Sequence, residues 1–109
     1  MSVKNTVKAI PLTSIDSAAL TGNYQAINPG GLAAPCFLIR LTVDATTAVT
    51  FSLDGVTDHL HLLSESSVPY PFQSNAQPNN NNAHLAAGTV IYAKGTAGVG
   101  RVYVEGFYQ

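Results

Sequence analysis

The sequence predicts an all-β protein, an antiparallel β-sandwich or jelly roll of about eight short strands. Three observations carry that expectation. Apolar and polar residues alternate along Pro35–Val43 and again along Val49–Leu53, the period-2 pattern of half-buried strands. Turn-forming residues punctuate these runs, as Pro29-Gly30-Gly31, as Asp54-Gly55 and as the glycines between Gly95 and Gly100. No stretch sustains a helical apolar period beyond one turn.

The rest of the chain is arranged around residues 35–63. Phe37, Ile39, Leu41 and Val43 alternate with Leu38, Arg40 and Thr42, and Val49, Phe51 and Leu53 alternate with Thr50 and Ser52. Asp54-Gly55 supplies the residues that most readily take positive φ, as a type I′ hairpin turn requires, and a third apolar run follows directly. Three consecutive antiparallel strands are therefore expected. Leu53 and Val56 flank the turn on the inner face, Leu60 and Leu62 also point inward, and His59 and His61 point outward.

Taken in order, residues 3–10 place Val3, Asn5, Val7 and Ala9 on one side and Lys4, Thr6, Lys8 and Ile10 on the other. Lysines on one side suit an edge strand, or an arm that reaches a neighbouring subunit. Residues 1–20 read as this arm or edge strand with a short turn, and residues 21–109 as one sandwich domain. Ser14 or Asp16 can cap a single helical turn through Ser17–Leu20, which Thr21-Gly22-Asn23 ends. Tyr24–Asn28 is a short strand closed by Pro29-Gly30-Gly31, and Leu32-Ala33-Ala34 is a connection.

Past the central strands, Ser64–Ser67 interrupts the pattern. Val68–Phe72 is apolar but holds Pro69 and Pro71, which have no amide hydrogen to give a ladder, so it belongs at a sheet edge. Ser74–Asn82, rich in asparagine, reads as a long exposed loop. Thr89–Lys94 and Arg101–Tyr108 form an expected second hairpin. With Gly95 facing Gly100, Ala93 pairs with Val102, Ile91 with Val104, and Tyr92 meets Tyr103 on the other face. The same register sets Val90 against Glu105 and Lys94 against Arg101, an unfavourable like-charge pair.

At 109 residues the chain is one domain large enough to fold without metal or disulfides. Charged residues are only 10% of it, against a usual value of about 25%. So weakly charged a surface leans toward a subunit of an assembly, because Lys, Glu and Asp are the types that interface cores exclude. Five Lys plus Arg, dispersed along the chain with a net charge of −1, build no basic stripe, so nucleic acid is not an expected partner. No apolar run approaches a membrane span and the first residues hold no signal-peptide core, so neither a membrane nor export is expected. Cys36, the single cysteine, sits in an apolar strand and reads as a small buried hydrophobe.

Asp58-His59-Leu60-His61 with Glu65 is the one motif with metal-binding potential. Two histidines two apart in a strand share a face and can reach one ion. The HxHxxxE spacing resembles half of the first metal motif of the cupins, with His84 as an available third imidazole, and implies a small metal-binding enzyme or a sugar-binding jelly roll. The hairpin register gives these histidines a plainer place on the outer surface. Serine, threonine and the six carboxylates form no nucleophile motif, and the glycines at 95–100 join two strands rather than a strand and a phosphate-binding helix. Tyr70, Phe72, Phe107 and Tyr108 are candidates for an aromatic contact patch, or for caps on the ends of the core. Lys4 and Lys8 are the contact candidates on the arm.

Four segments taken in order, TGNYQAINPGGLAAPCFLIRLTV (21–43), SLDGVTDH (52–59), QSNAQPNN (73–80) and GTVIYAKGTAGVGRVYVEGFY (88–108), resemble small virion structural proteins of tailed bacteriophages. The resemblance runs from Thr21 to Gln109. It implies a jelly-roll head decoration, or cementing, protein that sits as a dimer or trimer on the capsid lattice and clamps neighbouring copies of the major capsid protein. A neck, portal or tail-fibre adaptor is the alternative within the same class. Either implies a structural protein with no enzymatic activity and no cofactor, made in the host cytoplasm and located in the virion.

Overall fold

Nine short strands, all paired antiparallel, make two sheets in the computed structural model, which describes residues 7–71 and 85–108. The strands are β1 (Lys8–Ala9), β2 (Thr13–Asp16), β3 (Gln25–Ala26), β4 (Leu38–Ala45), β5 (Val49–Ser52), β6 (Leu60–Leu62), β7 (Ser66–Pro71), β8 (Tyr92–Gly95) and β9 (Gly100–Tyr108). Sheet A runs β1-β9-β4-β7, with β2 also paired to β9, and sheet B runs β3-β8-β5-β6. Because β1 and β2 share β9 as partner, they are one edge strand interrupted at Ile10–Leu12. The two four-stranded layers then have the jelly-roll arrangement. The all-β sandwich expected from the alternation is what forms, and among the described residues the only helix is a 3-10 turn.

The core lies between the sheets. From sheet A, Ile39, Leu41 and Val43 of β4 and Val102 and Val104 of β9 are fully buried. They meet Val49 and Phe51 of β5, Ala93 of β8 and the preceding Ile91, also fully buried. Burying each large side chain is worth roughly 1.5–3 kcal/mol, which makes this alternation the main force behind the fold. Cys36 is fully buried as expected, and its surroundings push the thiol up. Gly106 explains how it fits: a Cβ there would come within 3.0 Å of the Cys36 sulfur and 2.8 Å of Ile10.

Several local expectations hold. Asp16 caps the 3-10 turn Ser17–Ala19 by accepting from the Ala18 amide at 2.9 Å. Asn28 accepts the Gly31 amide at 2.7 Å across the Pro29-Gly30 turn. The proline-bearing β7 lies at the edge of sheet A, although it starts earlier, at Ser66, which pairs with Val43.

Two expected pairings, of β4 with β5 and of β8 with β9, are corrected. β4 does not pair with β5; it pairs with β7 and β9, and residues 46–48 carry the chain over to sheet B. Likewise β8 pairs with β3 and β5 while β9 pairs with β4, so residues 96–99 bridge the two sheets rather than turn a hairpin. Ala93 and Val102 are inward in both arrangements, which is why alternation does not separate them. Tyr92 and Tyr103 consequently lie on opposite sheets, and Lys94 never meets Arg101. Lys94 is opposite Thr50, while Arg101 lies between Asp16 and Asp44. Glu105 faces Arg40 rather than Val90.

The Asp54-Gly55 turn also differs. β5 and β6 do form a hairpin, but Phe51 pairs with Leu60, leaving a seven-residue loop, 53–59. Gly55 has φ of 81°, whereas Asp54 does not take positive φ, so the turn is not type I′. Val56, expected inward, is 82% exposed. Leu62 is buried and Leu60 packs against the core as expected.

Candidate functional site

The outer face of sheet A is concave. Its floor comes from β4 and β9, which run paired for eight residues from Leu38 opposite Phe107 to Ala45 opposite Gly100. Strand alternation sends Arg40, Thr42 and Asp44 outward from β4, and Tyr103, Glu105 and Phe107 outward from β9. Ala9 and Leu12 of the interrupted edge strand wall one side, and Glu65, Ser66 and Ser67 wall the other. The groove has a volume of about 820 Å³ and more apolar than polar lining.

On the floor, Arg40 is held by Glu105. Its Nε and Nη2 donate to Glu105 Oε1 at 3.2 and 2.8 Å, and Nη2 also donates to Oε2 at 2.7 Å. Beside this pair, Thr42 Oγ1 and Ser67 Oγ share a hydrogen bond of 3.0 Å. Arg101 Nε donates to Ser14 Oγ at 3.1 Å on the neighbouring stretch of the same face. The groove therefore presents aromatic rings, hydroxyls and a neutralised ion pair on the two most extensively paired strands.

The outer face of sheet B is organised by the 53–59 loop. Asp54 Oδ1 accepts from Ser52 Oγ and from the Val56 and Thr57 amides, each at 2.8 Å. Those amides, Thr57 foremost, hold the Asp54 carboxyl far below the usual carboxylate range. Gly55 packs over the Tyr92 ring, which a Cβ would meet at 3.2 Å. Asp58 accepts from the Tyr24 hydroxyl and pairs with Lys94 Nζ at 2.9 Å, while Lys94 lies 4.7 Å from the Tyr24 ring centre. Desolvation and then the Asp58 hydrogen bond push the Tyr24 hydroxyl up to about 12, and the same bond, followed by Lys94, lowers Asp58.

The metal-binding expectation is not assembled among the described residues, which hold no group of three or more His, Cys, Asp or Glu placed to bind an ion. His59 and His61 are both exposed. His59 Nδ1 accepts the Leu53 amide at 2.9 Å and closes the loop, and His61 Nδ1 lies 3.1 Å from Thr50 Oγ1. Glu65, with φ of 55°, sits in the β6–β7 turn and walls the groove on the other sheet. His84 lies outside the described residues, as do Lys4 and Phe72.

The remaining contact candidates divide by face. Phe107 lines the groove, whereas Tyr70 and Tyr108 are partly buried and pack against the core. Lys8 is exposed on β1 with its Nζ 6.0 Å from the Tyr108 ring centre. Tyr103, Glu105, Arg40 and Thr42 were not among the sequence candidates. The shared face of Tyr103, Glu105 and Phe107 follows from their two-residue spacing. That Arg40 and Thr42 join them depends on the β4–β9 pairing, which the hairpin expectation had assigned to β8.

No protein-family model matches the chain, and no curated protein matches it. Solved structures distantly similar to this chain include the following two. One is a chain of Bacillus endospore appendages, described as a novel family of disulfide-linked pili, with TM-score 0.49 and 16% identity over 98% of this chain and 91% of that one. The other is the SPP1 Dit protein, a hub of the adsorption apparatus of phages infecting Gram-positive bacteria, with TM-score 0.42 and 14% identity over 94% of this chain and 49% of that one. Both likenesses are distant.

Proposed function

We propose that this protein is a non-enzymatic structural subunit of a tailed-phage virion. Its place is the head surface, where it works as a decoration protein that bridges neighbouring copies of the major capsid protein. The observation that carries this reading is the ordered run of motifs resembling small virion proteins. Three of the four segments fall on the described sandwich, with 21–43 holding β3 and most of β4, 52–59 the loop over sheet B, and 88–108 β8 and β9, while 73–80 lies outside the described residues. The low charge supports it, since a chain with only 10% charged residues has a weakly charged surface that loses little solvation when covered. Exposed apolar side chains on separate parts of the molecule, among them Leu12, Leu63 and Val99, offer contacts to several neighbours at once.

Such a subunit acts through many modest contacts made together, in a dimer or trimer on the lattice, after synthesis in the host cytoplasm. Copy number in purified particles tests the reading. A number comparable to the major capsid protein supports decoration, and about a dozen assigns the chain to a ring at the neck or tail instead. Particles assembled without the protein that withstand heat and chelation as well as complete ones would remove the cementing role.

A further inference from the structure

We propose that the concave face of sheet A is a binding site for a neutral oligosaccharide. This inference rests on the chemistry of the groove and is independent of the virion reading. A volume of about 820 Å³ lies within the roughly 300–1,000 Å³ of small-ligand sites and leaves room for a few linked sugar units. Sugar rings combine apolar C–H faces with a rim of hydroxyls. They are recognised by aromatic surfaces together with fixed planar hydrogen-bonding groups. Tyr103 and Phe107 supply rings on one face of β9, with Glu105 between them.

The Arg40–Glu105 pair gives the site its fixed polar centre. Glu105 engages Nε and Nη2 of the guanidinium and fixes its plane, and among the described residues the Nη1 donors have no hydrogen-bond partner. Arg40 keeps 48% of its side chain accessible, so these donors can be reached from the groove. The Thr42 and Ser67 hydroxyls and the Asp44 carboxylate add acceptors alongside. All stand on paired strands, so little ordering is needed on binding.

The same groups argue against other occupants. Arg40 is cancelled by Glu105, and Asp44 and Glu65 leave the lining with surplus negative charge, which disfavours phosphate, sulfate and uronic acids. A purely apolar partner would strip water from the central ion pair without replacing its hydrogen bonds. A peptide laid across the face would find no backbone partners, because ladder groups point along the sheet rather than out of it.

The test is an amide NMR titration of the full chain with cellohexaose, maltohexaose, laminarihexaose and chitohexaose, with an oligogalacturonate as the charged control. At least one neutral sugar is expected to give saturable shifts confined to the 40–44 and 103–107 segments, with a Kd of about 1 mM or tighter. Tyr103→Ala and Phe107→Leu should each weaken that binding about tenfold, while His61→Ala on the other sheet leaves it unchanged. If Tyr103→Ala does not fold, Phe107→Leu and Arg40→Gln carry the comparison. The proposal is overturned if none of the four sugars gives saturable groove shifts, if the variants bind as the parent does, or if the galacturonate alone binds.

Discussion

The backbone of Gly100 passes directly against the carbonyl of Asp44 where β9 begins opposite the end of β4. A Cβ on Gly100 would overlap that oxygen and come within 2.8 Å of the Ala45 Cα, and the glycine holds φ of 126°. Both the contact and the dihedral exclude other residues. Gly100→Ala is expected to destabilise the protein by about 3 kcal/mol or more, combining backbone strain with a clash that only strand separation relieves. Gly30→Ala is the control, since nothing lies within 4 Å of its added Cβ and it should change stability by no more than about 0.5 kcal/mol. Equal midpoints in urea for the two variants would contradict the close approach.

Phe51 is the largest fully buried side chain, in the centre of sheet B against the sheet A residues. Phe51→Ala should cost about 3–5 kcal/mol, and Ile39→Val on the facing sheet about 0.5–1.5 kcal/mol. Chemical denaturation with an unchanged slope is the readout, because the loss then belongs to the packed core rather than to the unfolded chain. A Phe51→Ala variant as stable as Ile39→Val would mean that the two sheets are not packed through this ring.

These residues also show what the sequence made legible. The alternation of Ile39, Leu41 and Val43, and of Val102 and Val104, reports which side of each strand is buried, and all five are buried. It does not report which strand lies alongside. A hairpin and a crossing between sheets put Ala93 and Val102 inward alike, so local pattern could not choose between them. The choice depends on long-range pairing, β9 with β4 and β8 with β5. The groove was hidden for the same reason. Tyr103, Glu105 and Phe107 were readable as one face, but Arg40, Thr42 and the walls around Leu12 and Glu65 become neighbours only through that pairing. The outward placement of His59 and His61, by contrast, was legible from alternation, because the true pairing of β5 with β6 is displaced from the expected one by an even number of residues and keeps each face.

Arg40 and Glu105 are partly exposed, so their pair is expected to add little to stability. Glu105→Gln should lower it by about 1 kcal/mol or less, and part of that difference should vanish in high salt. A larger, salt-independent loss would mean that the pair is held in a drier setting than a side chain 48% exposed implies. A thermal melt at two ionic strengths separates the cases.

Asp54 is expected to make the fold sensitive to acid. Its carboxylate accepts two amides and the Ser52 hydroxyl, so its folded pKa is lowered, while in the unfolded chain it returns to about 3.9. The sign follows from linkage. The stabilisation is fully present above the unfolded value and is lost progressively as pH falls through that value toward the folded one. Asp58, lowered by the Tyr24 hydroxyl and then by Lys94, adds to the same trend. The melting temperature should therefore hold steady from neutral pH to about 5 and decline below about 4. Asp54→Asn keeps an acceptor oxygen but removes the titration, so its melting temperature should start lower at neutral pH and fall less over the acid range. Parallel curves for the two proteins would show that the 53–59 loop does not depend on the ionised carboxylate.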